Sequence, residues 1–531
     1  MLDLQGQLDR CAAGATLRLA AGTTYRLSAP LRLSPLHSGL RLIGADGATI
    51  SGGAPVKDWE ESSAWPGLWS ADVSELIGAA SGRPRQLWIG ERRAPRAILR
   101  GKAWTPWAAA SYNVTGEGYL LDDRSPLDWT DAGSVEFVYT GQGSQWSESR
   151  CTAANVTAQP GGGVLVAMKQ PCFDNVVNKP CGQGTARMAS IEDGGLRAGG
   201  LQPGEWYLDT ATAPPKATLY YAPLPPDRRA ALGAVLPLSE GLLHSEGAEG
   251  LEFVNVTFEH DTWHGPSGPD GYVEQQSGAL VRGAGPHTCE ASWEWAPANG
   301  SLHFERGRGL RFEGCTFRHL GSSSALSLMG GSSGNLVSSA HFYDISGASV
   351  QIGRNDKWAP DTPADERESR NVVSDSLVEW AAIEFHGQVG LQVGHAEYTT
   401  LERLELRNLT YGGLSVGWGW ARHAASGTYS SHNNVSRCSI HDFKKLLGDG
   451  GGIFALGPQP GGSMQNNWVH RMASGRGGGA YYPDEGSTEW QIGQSVFSDA
   501  AYCSDDCQWL HIWTSSIRDL RVQTAWTDTK T

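Results

Sequence analysis

The stretch TFRHLGSSSALSLMGGSSGNLVSSAHFYDI, Thr316 to Ile345, contains the same short pattern twice, TFRHL and HFYDI, with the two phenylalanines 25 residues apart. In each, an apolar residue sits between polar ones, and a polar or aromatic residue follows two positions on. The pattern recurs as TFEHD at Phe258, LVEWA at Val378, ELRNL at Leu406, SIHDF at Ile440, WVHRM at Val469 and VFSDA at Phe497. The residue two places beyond the anchor is His, Asp, Trp or Asn in most units. Successive anchors are separated by 59, 25, 36, 28, 34, 29 and 28 residues, and the first gap holds an insertion.

A period near 28 with alternation of two inside each unit, and no amphipathic helical stripe, describes a coil of short strands rather than a helix pair. Stacked coils pair each strand with those above and below, which is a parallel β-solenoid whose length variation falls in loops leaving the stack. The segments GNLVSSAHF, RNVVSDSLV, NNVSRCSI and QNNWVH place Asn near the turns before core strands. There it either forms inward ladders that satisfy buried backbone groups or makes surface turns. The N-terminal run continues the theme, with alternating Leu17 and Leu19, Tyr25 and Leu27, Leu31 and Leu33, and Leu40 and Leu42. Between Arg85 and Pro237 the period is lost. Runs such as RQLWIG, VEFVYTG, GVLVAMKQ and ATLYYAPL, set among Gly and Pro turns, read as a β-rich insertion. The expected organisation is a start of the helix over 1–84, an insertion over 85–237, and a main helix over 238–531.

Composition agrees with a turn-rich folded protein. Gly is 69 of 531 residues, about double the usual share, and only 18% of residues are charged. A net charge of −14 without a cluster of Lys and Arg argues against a nucleic-acid partner. No apolar run is long enough to span a bilayer. The start MLDLQGQLDRCA has no signal-peptide pattern, while nine cysteines and six sequons (Asn113, Asn155, Asn255, Asn299, Asn408, Asn434) point to the secretory pathway with a leader removed. Cys503 with Cys507, and Cys172 with Cys181, are spaced for local disulfides. Neither pair has the spacing or His partners of a zinc site, so neither metal nor cofactor is expected, and the chain is expected to be a monomer.

Several segments, in order, are similar to glycoside hydrolase family 141: RQLWIGERRAPRA, WSESRC, MKQPCF, GEWYLD, TLYYAP, TFEHDTWHGPSGPDGYVEQQSG, FRHLGSSSAL, FYDISGASVQIG, YGGLSVGWGWA, GDGGGIFALGPQPGG and YYPDEGST. The resemblance implies an all-β, right-handed parallel β-helix of pectate-lyase-like form with a β insertion. It also implies a secreted enzyme that hydrolyses glycosidic bonds in a complex polysaccharide, with α-L-fucosidase and xylanase among the family's activities.

Glycoside hydrolysis generally needs two carboxyl groups, and a solenoid supplies them when equivalent positions of neighbouring coils lie about 4.8 Å apart. Asp449 lies nine residues past its anchor Ile440 and Asp484 fifteen past Val469, so an extra loop of about six residues, ASGRGG, would bring them to one face. The resemblance points to the same DGG and DEGS motifs. Glu485 is the competitor, since neighbours on a strand face opposite sides. In YGGLSVGWGWAR, Val416, Trp418 and Trp420 are expected on one strand face, a platform for stacking sugars. His470, His395 and Trp263 are further substrate-binding candidates, with His319, His386 and His264 behind them. Glu205 and Trp206 are expected to brace the insertion against the helix. The competing readings are a polysaccharide lyase on the same fold and a noncatalytic carbohydrate-binding surface protein.

Overall fold

All eight apolar anchors fall in one ladder. Phe258 pairs in parallel register with Phe317, then Phe342, Val378, Leu406, Ile440, Val469 and Phe497 in turn. Every one is buried, and Phe317 stacks on Phe258 at 5.3 Å and on Phe342 at 4.6 Å. These distances bracket the strand spacing of a sheet, so identical side chains on successive coils meet face to face. Burial of each such side chain contributes about 1.5–3 kcal/mol.

The second element of the repeat has an equally local cause. Two residues past the anchors, His260, His319, Asp344, Trp380, Asn408, Asp442, Arg471 and Asp499 have φ between 52° and 61°. Each coil turns here through the left-handed region, which His, Asp and Asn tolerate better than β-branched residues do. The polar residue in the pattern is therefore a corner.

The computed structural model describes residues 3–100, 112–141, 145–179, 184–185, 187–196, 200–212, 216–288, 295, 297–356, 359–419, 427–474, 477–499, 508–510, 521–522 and 526–527. Among the described residues it is a parallel β-helix of three sheets with 11, 11 and 10 strands, successive coils adding a strand to each sheet up to the last, which adds to two. Inside run the apolar ladders. Asn335, Asn371, Asn433 and Asn467 also point inward, at 0–2% exposure. Asn335 accepts from the Leu310 N–H at 2.9 Å and donates to Gly307 O at 3.1 Å and to Asn371 Oδ1 at 2.9 Å. Such bonds satisfy backbone groups that the corners remove from the strand ladders. Among the described residues no helix is long and apolar enough to cross a membrane.

The insertion folds as antiparallel sheets beside the helix. One joins Gly53–Pro55, Leu87–Ile89, Arg92–Ala94 and Ala234–Pro237; another joins Glu60–Glu61, Trp69–Asp72, Trp206–Asp209 and Thr218–Tyr221. Antiparallel pairing thus begins at Gly53, well before residue 85, because short strands such as WSAD carry too little alternation to be separated from the helix start by sequence. A third and larger sheet takes in Tyr272–Gln276, from the first long gap in the repeat, which pairs with Ser149–Ala158. Trp206 and Glu205 belong to the insertion's interior: the indole donates to Ala94 O at 3.1 Å, and Glu205 pairs with Arg100. They do not brace it against the helix.

Cys172 is bonded to Cys151, not to Cys181. Cys151 lies on a strand directly beneath the short helix Cys172–Val177, a proximity across 21 residues that local spacing does not reveal. Cys181, Cys503 and Cys507 lie outside the described residues.

Candidate active site

Asp449 and Asp484 flank two adjacent strands of the third sheet, Ile453–Ala455 and Gly479–Pro483. The register pairs Ile453 with Tyr481, Phe454 with Tyr482 and Ala455 with Pro483. Backbone bonds from Gly450 N–H to Gly477 O (3.1 Å) and from Gly452 N–H to Gly479 O (3.2 Å) extend it. Asp449 therefore precedes its strand, while Asp484 follows the neighbouring one. The expected rung-over-rung stacking is incorrect: Ile453 lies 13 residues past Ile440 and Tyr481 lies 12 past Val469, so no six-residue excess separates anchor from strand.

Tyr482 links the two instead. Its hydroxyl donates to Asp449 Oδ1 at 3.2 Å. Asp484 lies two residues past Tyr482, directly after the strand, where its N–H donates to Ala455 O at 2.9 Å and continues the ladder, so the two share a face. Tyr411, one coil earlier, donates its hydroxyl to the Asp449 carbonyl at 2.6 Å and receives Gln276 Nε2 at 3.4 Å. The glycines around Asp449 are required by this packing. A Cβ at Gly450 would lie 2.5 Å from the Tyr411 ring, and one at Gly478, where φ is +110°, would lie 2.0 Å from Gly450 O.

The electrostatics of the pair are asymmetric. Asp484 is 9% exposed. Burial, reinforced by the nearby Asp449 and Glu485 charges, pushes its carboxyl up to about 7, against the opposing hydrogen bonds of the Glu485 N–H and Tyr482. Asp449 is half-buried. Glu485 is also half-buried and lends its backbone N–H to Asp484.

Beside this pair, the seam between insertion and helix holds a buried ionic network. Glu136, 0% exposed, accepts from Arg85 at 2.6 Å, Arg96 at 2.6 Å and Arg150 at 2.9 Å. Although burial opposes it, the three guanidinium groups hold Glu136 well below the usual carboxylate range. Arg150 also bonds Glu148 at 2.8 Å, Arg85 bonds Glu384 at 3.1 Å, and Arg93 bonds Asp344 at 2.9 Å. This network walls a cavity of about 450 Å³ that also includes Trp380, His386 and Lys445. His386 Nδ1 lies 2.5 Å from Glu148, and that carboxylate outweighs burial to raise the imidazole above its ordinary value. Among the described residues no group of three or more His, Cys, Asp or Glu side chains is placed to hold a metal ion.

No protein-family model matches the chain, and no curated protein matches it. Among solved structures, one described as "Glycoside hydrolase" superposes with a TM-score of 0.72 at 20% identity, covering 98% of this chain and 92% of that one. The likeness is one of fold. "The complex structure of XylC with xylose" aligns with 93% of this chain and 65% of that one, at 10% identity and a TM-score of 0.45. A lacto-N-biosidase from Eubacterium ramulus aligns over 52% of this chain and 51% of that one, at 11% identity and a TM-score of 0.31.

The remaining candidates are dispersed. Trp418 is 1% exposed and packs with Phe454, Leu456 and Tyr482 against Trp295 and the insertion, so it offers no open sugar platform. Nor does it share a face with Val416, which belongs to the helix interior. Gly417, at φ +88°, turns the chain between them. Trp420 lies outside the described residues. His470 stands on the second sheet, stacked between Trp468 at 3.8 Å and His441 at 4.6 Å, away from the aspartates. His395 is 1% exposed, with Nδ1 bonded to Ser430 Oγ at 3.2 Å, and acts as a packing residue. His319 is likewise enclosed, bonded to Asp344 at 2.7 Å. Trp263 and His264 sit far down the helix near its first coils, Trp263 against Tyr272 and Phe385. Of the sequon residues, Asn113, Asn155, Asn255 and Asn299 are exposed, whereas Asn408 and Asn434 are half-buried. Asn408 accepts from Lys445, and Asn434 bonds Ser436.

Sequence reasoning missed Tyr411, Tyr482 and the ionic seam. The signal for the seam was present: VEFVY puts Glu136 inside an otherwise apolar strand, and SESRC puts Glu148 and Arg150 on alternate positions of another. A charge embedded in a buried strand requires a buried partner.

Proposed function

We propose that the chain is a secreted glycoside hydrolase of family 141 type, cleaving a glycosidic bond in a complex cell-wall or extracellular polysaccharide. The observation that carries the reading is the Tyr482 hydroxyl bonded to Asp449 Oδ1 two residues before a second carboxyl, Asp484, which burial pushes up to about 7. A carboxyl that stays protonated near neutrality beside a second carboxylate matches the division of labour in glycosidases. Asp484 is assigned as the general acid that protonates the departing glycosidic oxygen. Asp449, half-exposed and steadied by Tyr482, takes the complementary part, as nucleophile or as base for water.

The enclosed carboxylates of the seam are poorer candidates: burial pushes Glu274 up to about 7 as well, but it is 0% exposed. Arginines hold Glu136 and Glu384 below the ordinary range, and both are committed to the seam. The Cys151–Cys172 disulfide and four exposed sequons support an oxidising, extracellular setting.

The test is to incubate the protein with aryl α-L-fucosides, xylan and pectic fragments and to analyse the products. Saturated sugars with new reducing ends are expected. Unsaturated products would make it a lyase, and binding without turnover a carbohydrate-binding protein; either result contradicts the proposal.

A further inference from the structure

A second cavity, of about 340 Å³, lies on the outer face of the third sheet near its first coils. It is distant from the aspartates. From His303 the outward positions run through Ser327, Gln351, Gln392, Ser415 and Phe454 to Tyr482, six strand steps, or roughly 29 Å at about 4.8 Å per step.

Three of its residues form rungs of that ladder, Arg32 beside His244 and His244 beside His303, with the two imidazoles 5.0 Å apart. Arg32 is the permanent cation of these three rungs, and His303 Nε2 lies 3.5 Å from Glu305. Arg282 enters from the loop after the insertion-paired strands, and Trp263 forms part of the wall. Arg32 and Arg282 are both exposed, and neither has a salt bridge among the described residues. The carboxylate in the lining, Glu240, accepts the His264 backbone N–H at 3.0 Å and forms no salt bridge with either arginine among the described residues. Burial and His303 push His244 below its ordinary value, so it presents a ring nitrogen rather than a charge.

We propose that this cavity is a remote subsite for an acidic sugar, a uronate whose carboxylate is taken by Arg32 and Arg282 and whose ring lies against Trp263. A guanidinium pairs with a carboxylate through strong charge-assisted bonds, an indole matches the apolar face of a pyranose, and the volume is at the lower end for small-ligand sites. The net charge of −14 disfavours a continuous polyanion, so the fitting partner is a lone uronate on an otherwise neutral chain. This inference rests on the polysaccharide reading above for its biological sense, but its test does not depend on turnover.

The experiment uses the full chain carrying Asp484→Asn and made without glycans, because the sequon residue Asn299 stands at the cavity. Binding of methyl glucuronide, methyl glucoside and acetate is followed by calorimetry or ligand-observed NMR. The glucuronide is expected to bind about tenfold or more tighter than either of the others, and Arg32→Gln or Arg282→Gln, both at exposed positions, is expected to remove that preference. Equal binding of glucuronide and glucoside, equal binding of acetate, or a preference unchanged in both variants would overturn the proposal. None of these outcomes bears on whether Asp484 catalyses hydrolysis.

Discussion

The Tyr482 hydroxyl donates to Asp449 Oδ1 at 3.2 Å while Asp484 follows two residues on, directly past the end of the same strand. One side chain thus ties Asp449 to the strand that ends at Asp484, the two carboxyls sitting at opposite ends of neighbouring strands. Tyr482→Phe removes the donor to Asp449 and a polar group that restrains the rise of the Asp484 carboxyl. The expected result is a fall in kcat of about 10- to 100-fold, the range for a hydrogen bond to a charged group. The alkaline limb of the pH profile should also move upward. A profile with an unmoved limb would count against the coupling.

Asp484 also sets a pH dependence. As the proposed acid it must be protonated, so activity should decline as pH rises through about 7. Stability follows the same direction. The folded state keeps a proton that the unfolded state gives up from 3.8 upward, so stability falls between these values, by at most on the order of 4 kcal/mol. Asp484→Asn is expected to raise the Tm at pH 8 and to leave it nearly unchanged at pH 4, as read by calorimetry at the two pH values.

The seam offers a sharper stability test. Glu136 is shared by Arg85, Arg96 and Arg150 and is fully enclosed. Glu136→Gln leaves buried guanidinium groups undercompensated and should cost about 3–5 kcal/mol, measured as a lower denaturant midpoint.

Replacing Cys151 and Cys172 together by Ala should cost about 2–4 kcal/mol. Urea titration of the oxidised parent and the double variant checks it.

How much of this was legible in the sequence depended on the range of the interaction. Phe258 to Phe497 could be aligned because each anchor repeats at one coil and meets its copy. The corner residues were visible as His, Asp and Asn for the same reason. Asp449 and Asp484 could be singled out, but their geometry could not: it depends on which residues of the next coil they face, and one residue of register changes the answer. Trp418 was misread because Gly417 turns the chain, so strand alternation ends at Val416. His395 and His470 were undecidable from their own segments, since what encloses each comes from other coils. The Cys151–Cys172 bond and the Glu136 network join segments that no local spacing connects.

The pairing of Asp449 with Asp484 is tested most directly by the kcat/KM of Asp449→Asn and Asp484→Asn for whichever glycoside the parent hydrolyses. Both should fall by about 10³-fold or more with the fold unchanged by circular dichroism. Asp484→Asn should also retain more activity on an aryl glycoside with a good leaving group, which needs less proton donation. Hydrolysis at near the parental rate by either variant would contradict the assignment of the pair.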